Sequence, residues 1–506
     1  MWKASRHLYY IFVFLRLVII LTSTSYIHPD EFFQNIEIAI DDVFNPSKQS
    51  HLARAWEWNP TKPHQIFAVG NGPIRSIVPV WLTSHVALNL LKFLNRWNLI
   101  KLSTRSLVIA PRLALFPLSC LVDYCAFRLT KSQSIRLLLA SSPFSLLFLC
   151  RTFSNSLESI LFTLILTLSL SIHPHRLSKS SVALLTFLNV LTLWVRVTYL
   201  AFALPVVLWF GYTRLIRSPS LLTTAVLSAL FSVVALTLVD SFYFHRWPCI
   251  TPLEFLIYNL DRRNLALHGT HPYWLHLLIN GPIAFGPALW LAGWYGIRIK
   301  MSSTILVKLS ALSLCSGVLV LSLQPHQEPR FLLPLGLPLA VLGSQVLRKN
   351  TWPFRNGFWT VHLIHSIVIV ALFGYLHQAG LETALQALPP EARTLISYKT
   401  FDVPSTLITT AQLDNVENLR GSSKKHLMAR LCDLKIDEAC LLSPRWAIDL
   451  DDENWLVLAW SSSIPHLDLD RLDEIWNAGF QRSGMALWRI NQNITNSAYC
   501  LQKQLV

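Results

Sequence analysis

Charge is scarce in this chain. Only 14% of its 506 residues are Asp, Glu, Lys or Arg, where a soluble domain carries about 25%. Cysteine pairs of the zinc type are missing: the eight Cys are scattered without any CxxC, which argues against a structural zinc site. There is no Walker loop and no GxGxxG fingerprint, so no glycine cradle offers itself to a soluble nucleotide. Internal repeats and low-complexity tracts are also absent, and a transporter built from matched halves is disfavoured on that ground. The net charge is +15. Its basic residues nevertheless fall in short clusters between apolar runs and form no continuous face, which speaks against nucleic acid as a partner.

What the chain has in excess is apolar sequence. Hydrophobic residues make up 52%, the mean hydropathy is +0.42, and the excess comes in blocks such as 156–172 and 221–238. Such blocks mark a multi-span membrane protein. Eleven segments read as spans: 8–26, 106–127, 134–150, 156–173, 181–197, 199–213, 221–241, 274–296, 303–323, 331–347 and 358–376. The first, behind Lys3 and Arg6, reads as a retained anchor, because Thr24-Ser25-Tyr26-Ile27-His28 is a poor cleavage site. Arg16 inside it demands a partner or a polar cavity. Eighteen Trp and thirteen Tyr fit interfacial belts or an ordinary core equally well.

The basic clusters set the topology. With the N-terminus cytoplasmic and the apolar stretch 76–95 lying as an interfacial or re-entrant helix, the cytoplasmic loops carry Arg128, Lys131 and Arg136; Arg176 and Lys179; Arg214 and Arg217; Arg298 and Lys300; and Arg348, Lys349 and Arg355. Letting 76–95 cross would reverse them all, against the positive-inside rule. The lumenal side then collects a first loop, 28–105, the other polar loops, and everything after residue 377. A membrane domain over 1–377 and a small mixed C-terminal lumenal domain over 378–506 are expected, with strands where Trp455–Trp460 alternates. The sequon at Asn493 falls in that region as a glycosylation candidate. Cys432, Cys440 and Cys500 fall there too, as a disulfide pair or as thiols.

Four polar stretches on the lumenal side can carry chemistry. In His28-Pro29-Asp30-Glu31-Phe32-Phe33-Gln34 two adjacent carboxylates follow the first span. They suit a general base at a partly dry site; compatibly, Asp30 suits the N-cap of a short helix with Glu31 in its first turn. In His326-Gln327-Glu328-Pro329-Arg330 a His, a carboxylate and an Arg share five residues. The Arg can grip a phosphate with the Glu orienting it, or the group is an interfacial salt bridge. Arg151, Asn155 and Glu158 open the fourth span, where charges are functional or paired. His268 and His271 lie close together, but their spacing matches no standard zinc site. Glu57 between Trp56 and Trp58, and Arg75, Arg196 and Asp240, are further polar residues that the sequence does not rank.

Together these motifs resemble the glycosylphosphatidylinositol (GPI) mannosyltransferases of glycosyltransferase family 22. His-Pro-Asp-Glu-Phe-Phe-Gln at 28–34 resembles the family's acidic first-loop motif, and His-Gln-Glu-Pro-Arg-Phe at 326–331 its His-Lys-Glu-x-Arg-Phe signature. Arg-Thr-Phe-Ser-Asn-Ser-Leu-Glu at 151–158, His-Gly-Thr-His-Pro at 268–272, Trp56-Glu57-Trp58 and Pro73-Ile74-Arg75-Ser76 are similar to the branch that adds a fourth mannose. The resemblance covers roughly residues 8–380. It implies a GT-C fold in the endoplasmic reticulum membrane, dolichyl phosphate mannose as donor, and the third mannose of a lipid-linked GPI precursor as acceptor. It implies an inverting single displacement forming an α-1,2 linkage, with no metal and no other cofactor. Asp30 or Glu31 would be the base, and Arg330, His326 and Glu328 would serve the donor phosphate, with His28, Gln34, Glu57, Arg75, Arg151, Asn155, Glu158, His268 and His271 as further substrate-side residues. Where an Arg often follows His-Gly-x-His-Pro in the family, this chain has Tyr273. The alternatives are a sister enzyme with another GPI or N-glycan acceptor and, from another class, a lipid transporter.

Overall fold

A computed structural model describes residues 2–45, 55–58, 72–172, 177–261, 263–264, 269–300, 302–347, 355–434, 438–448, 456–479 and 482–490. Two compact units interleave along the chain. One comprises Met1–Ile20, Ala55–Ser84 and Arg112–Ile369; the other comprises Leu21–Arg54, His85–Pro111 and Val370–Val506.

The first unit is helical. All eleven apolar segments contain helix, and six helices are long and apolar enough to cross a membrane: Thr104–Thr130, Ser154–Ser171, Pro219–Phe244, Ile305–Ser322, Pro329–Leu347 and Gly357–Leu376. Shorter apolar helices run over Lys179–Val195, Tyr199–Leu215 and His276–Phe285, and the chain opens with a helix over Trp2–Thr22. In a bilayer each span satisfies its backbone internally, which is why runs of Leu, Ile, Val and Phe settle as helices here.

Two expected spans are broken. The segment 134–150 divides into Gln133–Ala140 and Phe144–Phe148, where Pro143 follows two serines. The segment 274–296 divides at Gly286, whose φ of +56° precedes Pro287 and the helix Pro287–Gly296. Glycine supplies the left-handed φ, and proline starts the next helix.

Burial separates core from periphery. Pro329–Leu347 has 89% of its apolar window buried, and Pro219–Phe244 has 11%. The second presents Leu227, Leu230, Phe231 and Val234 outward, as a lipid-facing helix does. Close helix approach needs missing side chains. A Cβ on Gly317 would stand 2.5 Å from the Phe202 ring, and one on Gly336 would stand 2.5 Å from Phe144. Arg16 finds the partner its position demands. It pairs with Asp123 at 2.9 Å and donates to Ser119 at 2.8 Å, with both ends of the ion pair fully buried.

The second unit assembles three chain segments around a five-stranded sheet of order β2-β1-β3-β5-β4. The strands are β1 (Thr394–Ser397), β2 (Asn415–Asn418), β3 (Ala439–Pro444), β4 (Leu456–Pro465) and β5 (Gly484–Ile490). β1 pairs in parallel with β2 and β3, and β5 runs antiparallel to β3 and β4. The expected strand around 455–460 is thus the start of β4. One face carries Ile396, Leu441 and Trp488 over Leu427 and Leu431 of the helix Lys424–Leu431. That helix is N-capped by Ser423, which accepts from the His426 N–H. Trp488 keeps its indole N–H satisfied on Ser443 at 3.0 Å. Cys432 is disulfide-bonded, whereas Cys440 is a buried thiol.

The stretch expected to lie along the membrane forms continuous helix from Val78 to Arg96. Within Val86–Arg96, Val86, Leu90 and Phe93 are exposed along one side, followed by Trp97, while Ala87, Leu88 and Leu91 are buried on the other. An apolar outer face with Lys92 and Arg96 beside it is the pattern of an interfacial helix.

Candidate active site

The acidic loop belongs to the sheet unit. Residues 24–26 run extended along the end of the helix Gly357–Leu376: the Thr24 and Ser25 N–H groups donate to the Gly374 carbonyl, and the Tyr26 N–H donates to that of His377. Pro29 then turns the chain, and Asp30 and Glu31 are the first two residues of the helix that runs on to Phe44. Carboxylates in a first turn are favoured by the helix dipole. Asp30 thus lies inside the first turn and is not the N-cap that capping chemistry suggested, and its carboxylate is partly exposed.

The two carboxylates differ sharply in surroundings. The Asp30 side chain is 20% exposed, whereas Glu31 is fully buried. The Gln34 amide donates to one Asp30 oxygen. The other lies 3.3 Å from His28 Nδ1, and the same Nδ1 accepts the Asp30 backbone N–H at 3.2 Å. That bond places the proton of neutral His28 on Nε2. His28, Asp30 and Gln34 thus form one hydrogen-bonded group with an accessible carboxylate. Deeper in the same helix, burial pushes Glu37 up to about 7, against the pull of the Ser405 hydroxyl, which donates to it at 3.1 Å.

The helical unit holds most of the other predicted residues. His326 Nε2 meets Glu328 at 2.6 Å, and Glu328 takes a forked grip from Arg330, Nε at 2.5 Å and an Nη at 3.0 Å. The Arg330 guanidinium lies over the rings of Phe153 and Phe331 at 5.5 and 5.3 Å. Such a clamp fixes the orientation of a planar cation, the kind of group that recognises phosphate. Gln327 braces the turn: its N–H donates to His271 Nδ1 at 3.2 Å, and its side-chain oxygen accepts from the His276 N–H. His271 stacks 5.5 Å from His326, so the second of the paired histidines joins the signature. His268 and Asn493 lie outside the described residues.

At the start of Ser154–Ser171, Glu158 is fully buried. It accepts from Thr198 at 2.8 Å and from Asn155 at 3.4 Å, and it faces Arg196 at 3.5 Å. Arg196 also donates to Ser154 and lies 5.4 Å from the Phe331 ring. It therefore links the 151–158 stretch to the 326–331 stretch, a role sequence reading left unranked. Arg151 is buried at the same turn.

Glu57 and Arg75 pair through two bonds of 2.9 and 3.2 Å, with Trp56 packed on Tyr258 at 4.7 Å. Asp240 is consumed structurally, accepting from Ser76, the Ile77 N–H and Thr251. The buried Arg246–Glu254 pair, 3.1 Å apart, was missed by sequence reading. Its two members sit in separate apolar contexts that carry no motif. Tyr273, at the position of the family departure, is exposed. Among the described residues no group of three His, Cys, Asp or Glu side chains could hold a metal ion.

Known proteins place this arrangement. The sequence profile of the Alg9-like mannosyltransferase family matches residues 7–412. GPI mannosyltransferase 4 of Yarrowia lipolytica is 28% identical over 90% of this chain and 91% of its own length. GPI mannosyltransferase 4 of Aspergillus oryzae is 32% identical over 77% of this chain and 71% of its own. The human GPI alpha-1,2-mannosyltransferase 4 is 32% identical over 73% and 68%. The crystal structure of ArnT from Cupriavidus metallidurans bound to undecaprenyl phosphate superposes with a TM-score of 0.53 at 12% identity, covering 94% of this chain and 97% of that one. The fold is GT-C, as the motifs implied. A multi-span helical chain with these clusters, matched by that profile over most of its length, belongs to the Alg9-like mannosyltransferase family.

Proposed function

We propose that the chain transfers mannose from dolichyl phosphate mannose to the third mannose of a lipid-linked GPI precursor, forming an α-1,2 linkage on the lumenal side of the endoplasmic reticulum membrane. The observation that carries this reading is the relatives' shared activity name, GPI mannosyltransferase 4, held by a protein matched over 91% of its own length.

In the proposed reaction the acceptor 2-hydroxyl attacks the anomeric carbon. The new C–O bond forms as the bond to the phosphate oxygen breaks, and the β-linked donor yields an α-linked product. The hydroxyl proton passes to Asp30, which is favoured over Glu31 because its side chain is partly exposed and Glu31 is buried. Gln34 orients the carboxylate by donating to it, and His28 fixes the Asp30 backbone by accepting its N–H. Dolichyl phosphate leaves with the bonding pair, and Arg330, fixed by Glu328 and His326, stabilises that charge. No metal or other cofactor is assigned to the step, since the guanidinium supplies the positive charge.

Microsomes containing the protein, supplied with labelled dolichyl phosphate mannose and a three-mannose GPI acceptor, are expected to make the four-mannose product. Asp30→Asn is expected to abolish it at normal protein levels. No four-mannose product from the unmodified protein would sink the acceptor assignment; full activity of Asp30→Asn would remove Asp30 as the base.

A further inference from the structure

The acidic loop is packed against the C-terminal sheet inside one compact unit. Phe401 contributes to that contact through its ring. Phe401 follows the carboxyl end of β1, and Arg420 follows the carboxyl end of its parallel neighbour β2. Both therefore emerge at the same edge of the sheet, where ligands and functional loops gather in parallel α/β arrangements.

Phe401 is buried. Its ring meets Tyr26 edge-on at 5.3 Å, His28 at 6.5 Å and His377 at 5.8 Å. All three distances lie within the range of attractive ring pairs. The Arg420 guanidinium covers it at 4.3 Å. Its backbone is fixed as well: Gln378 Oε1 accepts both the Phe401 N–H and the Thr400 hydroxyl. The next carbonyl, that of Asp402, accepts the Tyr26 hydroxyl at 3.1 Å. Tyr26 in turn packs edge-on against Phe32 at 4.7 Å, in the first turn of the helix that presents Asp30.

We propose that Phe401 is a positioning residue for the mannosyl transfer, holding the His28–Asp30 pair in its working geometry from the C-terminal sheet. This role presupposes Asp30 as the base. The ring restrains the His28 imidazole directly and the start of the Asp30 helix through Tyr26. A sub-ångström drift of a base from its hydrogen-bonding position costs rate while leaving the donor's binding groups untouched. The C-terminal sheet thereby contributes to catalysis without contacting the reacting atoms. Arg420 holds the outer face of the ring, with Asp470 beside it at 3.8 Å.

The test uses the full-length chain in microsomes, with the donor and acceptor named above. Phe401→Ala is expected to lower kcat about 10- to 100-fold, to leave the donor KM within about twofold, and to shift the acidic limb of the pH–rate profile. Phe401→Tyr keeps the ring and is expected to restore kcat and the profile. Phe401→Leu keeps apolar bulk without the ring and is expected to stay impaired. Protein level and an intact Cys432 disulfide confirm that each variant has folded. Complete recovery by Phe401→Leu would reduce the residue to simple packing and overturn the proposal. So would a folded Phe401→Ala with unchanged kcat and pH profile. With Asp30→Asn inactive, either result overturns the positioning role alone; a fully active Asp30→Asn overturns the base assignment and the positioning role together.

Discussion

Two arginine–carboxylate pairs in the helical unit look alike in contact distance and differ in everything else. Arg16 and Asp123 pair at 2.9 Å with neither side chain reaching solvent. Arg330 and Glu328 pair at 2.5 Å, but Glu328 is shared with a quarter-exposed His326. The first pair joins the opening helix to Thr104–Thr130 and is walled in, with Tyr9 also donating to Asp123. The second sits where the chain turns into Pro329–Leu347 and is framed by aromatic rings. A buried pair with no access can only hold helices together. A pair at a turn, partly exposed and shared with a histidine, is the one to which the proposed function assigns the donor phosphate.

That contrast can be broken from the structural side first. Removing one member of a buried ion pair leaves the other charge without compensation, at a cost of about 3–5 kcal/mol. Asp123→Ala is therefore expected to deplete folded protein from the membrane, read as steady-state level and protease resistance. The surviving fraction should keep the unmodified protein's kcat. Restoring the level with Arg16→Met and Asp123→Leu together would show that the pair serves packing. A surviving fraction with collapsed kcat would refute the division of labour.

On the other side of the comparison, Arg330→Lys keeps the charge and removes the forked geometry. We expect a normal protein level and a fall in kcat of about 10²-fold, equivalent to about 2.7 kcal/mol of lost transition-state stabilisation. Activity within twofold of the unmodified protein would place the phosphate contact elsewhere.

The smallest expected effect concerns Glu37, a buried acid of the sheet unit. Burial raises it to about 7 from an ordinary 4.5. The folded state thus keeps a proton that the unfolded chain gives up. The resulting stability is full below about pH 4.5 and is lost as pH rises through 7. Thermal inactivation should set in earlier at pH 7.5 than at pH 5.5, by the equivalent of about 1–3 kcal/mol. Glu37→Gln should flatten that dependence. A slope unchanged in the variant would assign the pH response to another group.

Much of this was legible in the sequence. Run length and hydropathy gave the helical segments, because a span must satisfy its own backbone wherever it sits. The demand of Arg16 for a partner was legible too, but Asp123 was not named. A single acid inside an apolar run announces a need and not the residue that meets it. The breaks at Pro143 and Gly286 went unread, since apolar composition continues across both. The acidic loop and the 326–331 signature stood out because ionisable residues crowd a few positions at an apolar boundary. Arg196, Phe401 and Arg420 did not, because each acts on residues far away in the chain: Arg196 on Glu158 and Phe331, Phe401 on Tyr26 and His28.

By itself the sequence determined that this chain is a multi-span helical membrane protein, and it singled out His28, Asp30, Glu31, His326, Glu328 and Arg330 as candidates for its chemistry. These follow from local properties: run length, residue type and short spacing. Only the tertiary structure separated Asp30 from Glu31. Adjacent residues on a helix point about 100° apart, so one packing arrangement buries the second carboxylate and leaves the first partly open. Which of the two faces the interior depends on what packs against the helix, and that surface comes from other parts of the chain, as where Ser405 meets Glu37 and Lys92 meets the Val43 carbonyl.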